Sequence, residues 1–495
     1  MLQTLKNAWN TKDIRSKILF TLLILLLYRV GTVIPVPFVE ANDFASTLNG
    51  TILQYMDVLS GGSLSAMTLF ALGVQPYINA SIIIQLLAVV FPKLGEIAKN
   101  DKKKMNFITR IVTIVLAVVT AVGYYFLLLN SNCLNKAATE GGAAWLYSIV
   151  IIVCYCAGAS IIMWLAERIN EKGIGNGISL ILFANIVAAV PSFVYRLVSL
   201  VVDTYGYPEM TWLYAIISTV FAVVLIAGLL ALIAVVIWFT GSERRIPVQY
   251  AKKVVGRKMY GGQSSNLPIK LNMTGVMPII FASSIVSFIP TVFQVLASAG
   301  AISLTETVDG KTVNTGWGTF MDIIGTEGII YPIALFLLII GFAYFYTQIT
   351  FDPMEVANNL KRQGGAIPGI RQGRPTAEYI KKILSKITLA GALFLGFVAV
   401  VPQLLGPHAF QPFFEWLYAA GIPEDLIIDL GSTQYVYTNS GLSEMSSYLS
   451  SIAANLTSTF TFGGTTLLIV VGVAIETFRE LEAQLTMRNY KGFLN

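Results

Sequence analysis

The chain is 495 residues long, 55% hydrophobic and only 12% charged, with a mean hydropathy of +0.70. That leaves too little polar surface to cover a soluble globule of this size, and the composition reads as a polytopic membrane protein. Three cysteines, one histidine (His408) and neither GxxxxGK[ST] nor HExxH exclude a disulfide framework, histidine-held zinc and a Ser-His-Asp triad, so no catalytic residue, metal or cofactor is expected.

The first apolar run, Ile18 to Val36, follows Lys12, Arg15 and Lys17 and has no small-x-small cleavage site before the polar segment Glu40 to Asn49. It is expected to be a retained anchor. Arg29 is the one cation inside a span, about 16 Å along from Ile18 if helical, and intramembrane charges have partners. A structural role inside the protein, or snorkelling outward, is expected for it.

The next run, Ser60 to Phe91, is apolar enough for membrane but is interrupted at Gly73, Gln75 and Pro76, which predicts two helices. Ser65 to Leu72 would rise only about 12 Å, short of a hydrocarbon core of roughly 30 Å, so it enters without crossing. Tyr77 to Phe91 continues to the far side. Backbone groups freed at such a break cannot face lipid, so the pair must sit inside protein or line a watery cavity.

Further runs follow at Ile111 to Leu129, Trp145 to Leu165, Ile178 to Val201, Trp212 to Phe239, Val276 to Ala299, Ile329 to Thr350, Leu384 to Leu405 and Phe462 to Phe478. With the first two this makes ten crossings. One set of connections, the two tails plus Pro92 to Arg110, Ala166 to Lys172, Thr240 to Lys270 and Asp352 to Lys386, holds 29 of the 33 Lys and Arg residues, and the opposite loops hold three. The first set, including both termini, is therefore cytoplasmic. The external loop Asp203 to Thr211 divides the crossings five and five, near residue 205. An odd number makes the halves (1–205 and 206–495) antiparallel, the topology of an inverted repeat, although residue-level similarity between them is lacking. Gly173, Gly175 and Gly177 in GIGNGI have no preceding strand and are not a phosphate loop; Asn176 is expected to cap the fifth span.

The eighteen residues FALGVQPYINASIIIQLL, Phe70 to Leu87, closely resemble the signature of the SecY family of protein-conducting channels. The resemblance continues through AERINEKGIGNGISLILFANIVA, RRIPVQYAKKVVGRKMYGGQSSNLPIKLNMTGVMPIIFASSI, DPMEVANNLKRQGGAIPGIRQGRPTAEYI and FGGTTLLIVV, nearly the whole chain apart from the external loops. It implies an all-α membrane channel of ten helices in two inverted five-helix halves, with a re-entrant plug helix over roughly Ser60 to Leu72. Gly61, Gly62, Ser63, Ser65 and Ala66 are small, which suits a segment that must leave a funnel; Leu64, Met67, Thr68, Leu69 and Phe70 complete it.

The same resemblance assigns a constricting ring to Val74, Ile78, Ile178, Leu182, Ile280 and Ile469. All are aliphatic, and two pairs are spaced i, i+4 on one helix face, which suits a gate that excludes ions by dewetting. Asn79, Ser81 and Gln85, with Ser283, Ser284 and Phe288, resemble a lateral gate towards lipid, where small and amide side chains give separable contacts. The cytoplasmic loops at about 240–270 and 352–386 carry Arg244, Arg245, Lys252, Lys253, Arg257 and Lys258, then Lys361, Arg362, Arg371 and Arg374. Family resemblance makes these the docking loops for the ribosome and the SecA motor ATPase, with Arg371, in PGIR, matching a functionally sensitive arginine.

The implied activity is passage of unfolded preproteins across the plasma (inner) membrane and sideways release of hydrophobic segments into the bilayer, with SecE-like and SecG-like small subunits as partners and no enzymatic step. The alternative is a secondary transporter, which shares inverted repeats and broken helices but usually keeps carboxylates or histidines at membrane depth. The external region 406–458 is long for such a family; its PFFEWLYAAG portion is expected to form an interfacial amphipathic helix.

Overall fold

The computed structural model describes residues 2–40, 44, 48, 52–135, 144–206, 212–250, 253–255, 258–260, 264–308, 311–325, 330–405, 427–429, 435–437 and 463–487. The amphipathic stretch expected within 406–458 lies outside the described residues. Helices follow in the order α1 (Leu2–Asn10), α2 (Lys12–Gly31), α3 (Ile52–Ser60), α4 (Gln75–Val90), α5 (Pro92–Asn100), α6 (Lys102–Asn130), α7 (Ala144–Lys172), α8 (Gly177–Gly206) and α9 (Trp212–Gly241). Strands β1 (Glu243–Tyr250), β2 (Lys253–Val255), β3 (Lys258–Tyr260) and β4 (Ser264–Lys270) come next, then α10 (Met277–Ser298), β5 (Thr305–Val308), β6 (Lys311–Asn314), α11 (Gly316–Ile324) and α12 (Ile330–Thr350). The chain continues with α13 (Pro353–Arg362), β7 (Gly365–Ala366), α14 (Arg374–Leu405), β8 (Ile427–Asp429), β9 (Tyr435–Tyr437) and α15 (463–487).

Among the described residues seven helices are long and apolar enough to cross a membrane, or eight if α4 and α5, bent by 118° at their junction, count as one. Sequence runs alone predict ten. The difference has a physical cause: α2 begins with Lys12, Asp13, Arg15 and Lys17 and carries Arg29 near its end, while α15 carries Glu476, Arg479 and Glu480. Helix starts follow local chemistry. Proline opens α4, α5, α10 and α13 within the first turn, where its missing N–H costs nothing. The Asp101 carboxylate accepts from Lys104 N–H at the start of α6 (3.1 Å), and Asn176 Oδ1 accepts from Ile178 N–H as α8 begins (3.1 Å), the cap its sequence position predicts.

Two expectations are corrected. Ser65 to Leu72 is not a helix; the re-entrant helix is α3, which ends at Ser60, and residues 61–74 form successive turns. Gly61, Gly62, Met67 and Gly73 all have positive φ (72°, 82°, 49° and 57°), which breaks any helical run through them. Polar side chains also take the backbone groups a helix would use: Ser60 Oγ accepts from Leu64 N–H (3.2 Å) and Asp57 Oδ1 from Ser65 N–H (2.8 Å).

The second correction is to the all-α class, because the two long basic loops share an antiparallel sheet of order β4-β1-β7. Ile246 and Val248 alternate inward along β1 and pack with Ile269, Leu360, Ile367, Ile380 and Leu384 in an apolar core of their own. The principal core is a single larger cluster running through α2, α3, α4, α6, α7, α8, α10, α12, α14 and α15.

Candidate functional site

Six aliphatic side chains from four helices belong to that larger cluster. Val74 and Ile78 come from the start of α4, Ile178 and Leu182 from α8, Ile280 from α10 and Ile469 from α15. Five are buried to 3% exposure or less, and Ile178 is partly buried against the same cluster. No polar atom is offered by these side chains, so a closed ring of them strips water from an ion and gives nothing in return.

Leu64, Met67, Phe70 and Leu72 from the turns of residues 61–74 belong to the same cluster, and a small cavity is lined by Met56, Ser60, Leu72, Val74, Tyr124 and Leu182. Ser60, Ser63, Leu64, Met67, Thr68 and Phe70 are buried, Gly61, Gly62, Ser65 and Leu69 half-buried, and Ala66 is exposed. Thr68 forms a one-residue antiparallel bridge with Pro35, flanked by Val36 N–H to Met67 O (3.2 Å) and Leu69 N–H to Ile34 O (2.9 Å). Phe70 stacks on Tyr28 with ring centroids 5.4 Å apart, and its ring lies over Gly31, where a methyl group would collide with it. Gly158 of α7 does the same for the Leu69 carbonyl. Gly31 and Gly158 are thus seats for this segment. Sequence reasoning missed both, because a glycine in an apolar helix has no distinguishing pattern until its neighbour is known.

The seam between α10 and the first half has two parts. Along the inner part, α4 packs on α10, with Asn79, Ser81 and Gln85 half-buried, Ser283 and Ser284 buried and Phe288 39% exposed. Gln85 Nε2 donates to Ser81 Oγ within α4 (3.1 Å) and Ser283 Oγ to Ile280 O within α10 (3.1 Å), while Ser283 also bonds the Tyr55 hydroxyl of α3. Along the outer part α6 meets α10. Val295 packs over Gly123, and Asn130 Nδ2 donates to the Ser298 carbonyl (2.7 Å). The sequence singled out none of these outer contacts, since their residues lie in stretches without a motif. Between the parts, the Met56 sulfur of α3 lies 3.3 Å from Thr291 Oγ1, whose proton goes to the Ser287 carbonyl (2.7 Å), and accepts from the Tyr124 hydroxyl (3.9 Å).

Arg29 has the partner an intramembrane charge requires: its Nη1 donates to the Gly61 carbonyl (3.2 Å). On the sheet of the basic loops Arg244 and Arg245 are exposed on β1, Arg245 paired with Glu243 (2.8 Å). Lys361, Arg362, Arg371 and Arg374 are exposed, with Arg374 paired to Glu378 (3.1 Å). Lys253 and Lys258 lie on β2 and β3, paired strands of a hairpin, while Lys252 and Arg257 lie outside the described residues. Because β1 pairs with β7 (Gln249 opposite Ala366, Tyr250 opposite Gly365), the two basic loops are joined in one sheet.

Comparison with known proteins agrees with this geometry. The SecY family model matches residues 68–422. The chain is 36% identical to the protein translocase subunit SecY of Streptomyces galbus and 37% identical to that of Mycobacterium bovis, each alignment covering all of both chains. Its fold is similar to a solved protein-conducting channel (TM-score 0.59, 18% identity, 95% of this chain and 92% of that chain) and to a SecY structure solved to study its plug domain (TM-score 0.58, 18% identity, the same coverage). It is also similar to Sec61 in a canine ribosome-channel complex (TM-score 0.56, 17% identity, 95% and 92%). On this family match and these full-length relatives, the chain belongs to the SecY family and is a protein-conducting channel subunit of the Sec translocase, a multi-pass membrane protein and not an enzyme.

Proposed function

We propose that unfolded secretory polypeptides cross the membrane through the ring of Val74, Ile78, Ile178, Leu182, Ile280 and Ile469, with residues 60–72 as the plug above it. Hydrophobic segments leave sideways where α10 parts from α4 and α6. The observation that supports this reading is that six aliphatic side chains from four helices share one apolar cluster with Leu64, Met67, Phe70 and Leu72 of the turn-built segment. A SecY plug domain has been described as stabilising the closed state and maintaining a membrane seal, which favours the same role for the segment that fills this position here. Membership in a translocase family replaces the secondary-transporter alternative.

The full topology in this reading is ten crossings in two inverted halves, 1–205 and 206–495, with both termini in the cytoplasm and the chain in the plasma membrane. Its basic platform faces the cytoplasm and takes the ribosome and the SecA motor ATPase; Sec61 and the yeast Ssh1 complex, both similar in fold, were solved bound to ribosomes. SecE-like and SecG-like subunits complete the complex, and signal-bearing preproteins and the bilayer are its remaining partners.

The seam supplies the test. Cβ atoms built at Gly123 and present at Val295 lie 3.1 Å apart, close enough for a disulfide after slight adjustment. Gly123→Cys with Val295→Cys, oxidised in proteoliposomes with the motor, blocks preprotein transport, and reduction restores it. Equal transport by oxidised and reduced channels would remove the lateral seam from the mechanism. The ring has its own test: Ile78→Ser with Ile280→Ser lets the constriction hold water, and resting ion conductance rises in a planar bilayer. A tight double variant would exclude these residues from the seal.

A further inference from the structure

The plug segment begins where α3 ends, and a helix end at this depth carries orphan carbonyls that no water can satisfy. Two are handled locally: Asp57 O accepts from Gly62 N–H (3.0 Å) and Val58 O from Gly61 N–H (3.2 Å). The next ones are taken from outside. Asn185 of α8 donates its Nδ2 to Leu59 O (2.7 Å) and to the Tyr28 hydroxyl (2.9 Å), and Arg29 of α2 donates to Gly61 O (3.2 Å). The guanidinium also lies at the negative end of the α3 dipole.

Asn185 is fully buried and its Oδ1 has no hydrogen-bond partner in the structure, so its place is set by its two donor bonds. It follows Ile178 and Leu182 at i+7 and i+3, which puts it on the ring-bearing stripe of α8, one turn beyond Leu182. An amide on a stripe otherwise used for sealing is costly unless it holds something. What it holds is the joint between α3 and the plug.

We infer that Asn185, seconded by Arg29, is the latch that keeps the plug closed: a helix cap supplied by the channel wall, which must be broken before the segment can leave. This rests on the plug reading above. The wall side of α3 carries the latch, and the gate side carries the Met56 contact to Thr291 of α10, so α3 is suspended between a fixed element and a moving one. Parting of the seam withdraws Thr291 and leaves Asn185 and Arg29 as the restraint at the α3 end of the plug, with the Thr68–Pro35 bridge at its other end. The latch thereby sets how strong an opening signal is required.

Asn185→Leu keeps the volume and removes both donor bonds. A net loss of about one to two hydrogen bonds raises the fraction of open channels roughly tenfold. The measurement is resting ion conductance of the purified translocase complex in planar bilayers, alone and with Pro35→Cys and Thr68→Cys added. That cysteine pair occupies a non-hydrogen-bonded antiparallel site, where side chains approach closely enough for a disulfide. The expected result is leak in Asn185→Leu, lost when the disulfide pins the plug and regained on reduction. Leak that persists in the oxidised channel would come from a damaged fold and would overturn the latch. A tight Asn185→Leu channel beside a leaky deletion of residues 62–68 would overturn the latch alone. If both stay tight, the plug reading falls and the latch with it.

Discussion

Deleting Gly62 to Thr68 raises resting ion conductance in a planar bilayer by at least about tenfold, the larger part of the seal having been removed. The deleted stretch contains Leu64 and Met67, both buried at 3% exposure or less, and the Thr68 bridge to Pro35. The relevant alternative for these side chains is a wet vestibule, not lipid, so their burial counts at full hydrophobic value, about 2 kcal/mol each. Together that is a bias of roughly two to three decades towards the closed arrangement, of which the remaining ring recovers part. The ring alone is the second barrier, so the leak takes the form of intermittent openings and not a steady pore. Unchanged conductance in the deleted channel would mean that the segment packs the vestibule without sealing it.

Arg371→Glu lowers motor-driven preprotein transport by about two orders of magnitude while the channel still inserts and folds normally. An arginine buried at a partner interface is worth roughly 2–4 kcal/mol, and reversing the charge adds repulsion to the loss. Folding is insulated because the Arg371 side chain is exposed, and only its backbone carbonyl is engaged, by the Thr376 hydroxyl (2.8 Å). Arg374 differs in that Glu378 already compensates it at 3.1 Å, so Arg374→Glu has the smaller effect. Transport is read in proteoliposomes with the motor and ATP, and expression and membrane insertion by yield and protease protection. Preserved export in Arg371→Glu would take the residue out of the docking surface.

The parts of this architecture that were legible in sequence are those set by local chemistry. Gly73, Gln75 and Pro76 announce a break in an apolar run, and α4 does begin at Gln75. Asn176 was readable as a cap because capping depends only on the next few residues. The i, i+4 spacing put Val74 with Ile78 and Ile178 with Leu182, but spacing alone cannot separate a ring from ordinary core; family resemblance was needed to bring in Ile280 and Ile469. The sequence reads as helix from Ser65 to Leu72, where the structure has turns, because Met67 at positive φ leaves no signature in composition. The β1–β7 pairing joins residues more than a hundred positions apart through a two-residue strand, too short for any periodic signal. Asn185 read as one polar residue within a family motif, and its role depends on the carbonyl of Leu59, which only the folded chain brings within 2.7 Å.

The shared sheet has a mechanical consequence. β4 is joined to the gate helix α10 by only the six residues Leu271 to Val276, and that connection is held at its first residue: Leu271 N–H donates to Ser242 O (3.0 Å), and its carbonyl lies against Gly391 of α14. Leu271 therefore ties the sheet of the basic loops, the end of α9 and α14 to the start of α10 within one short connection. If partners dock on those loops and α10 moves as proposed, this residue is the point through which the one displacement would reach the other.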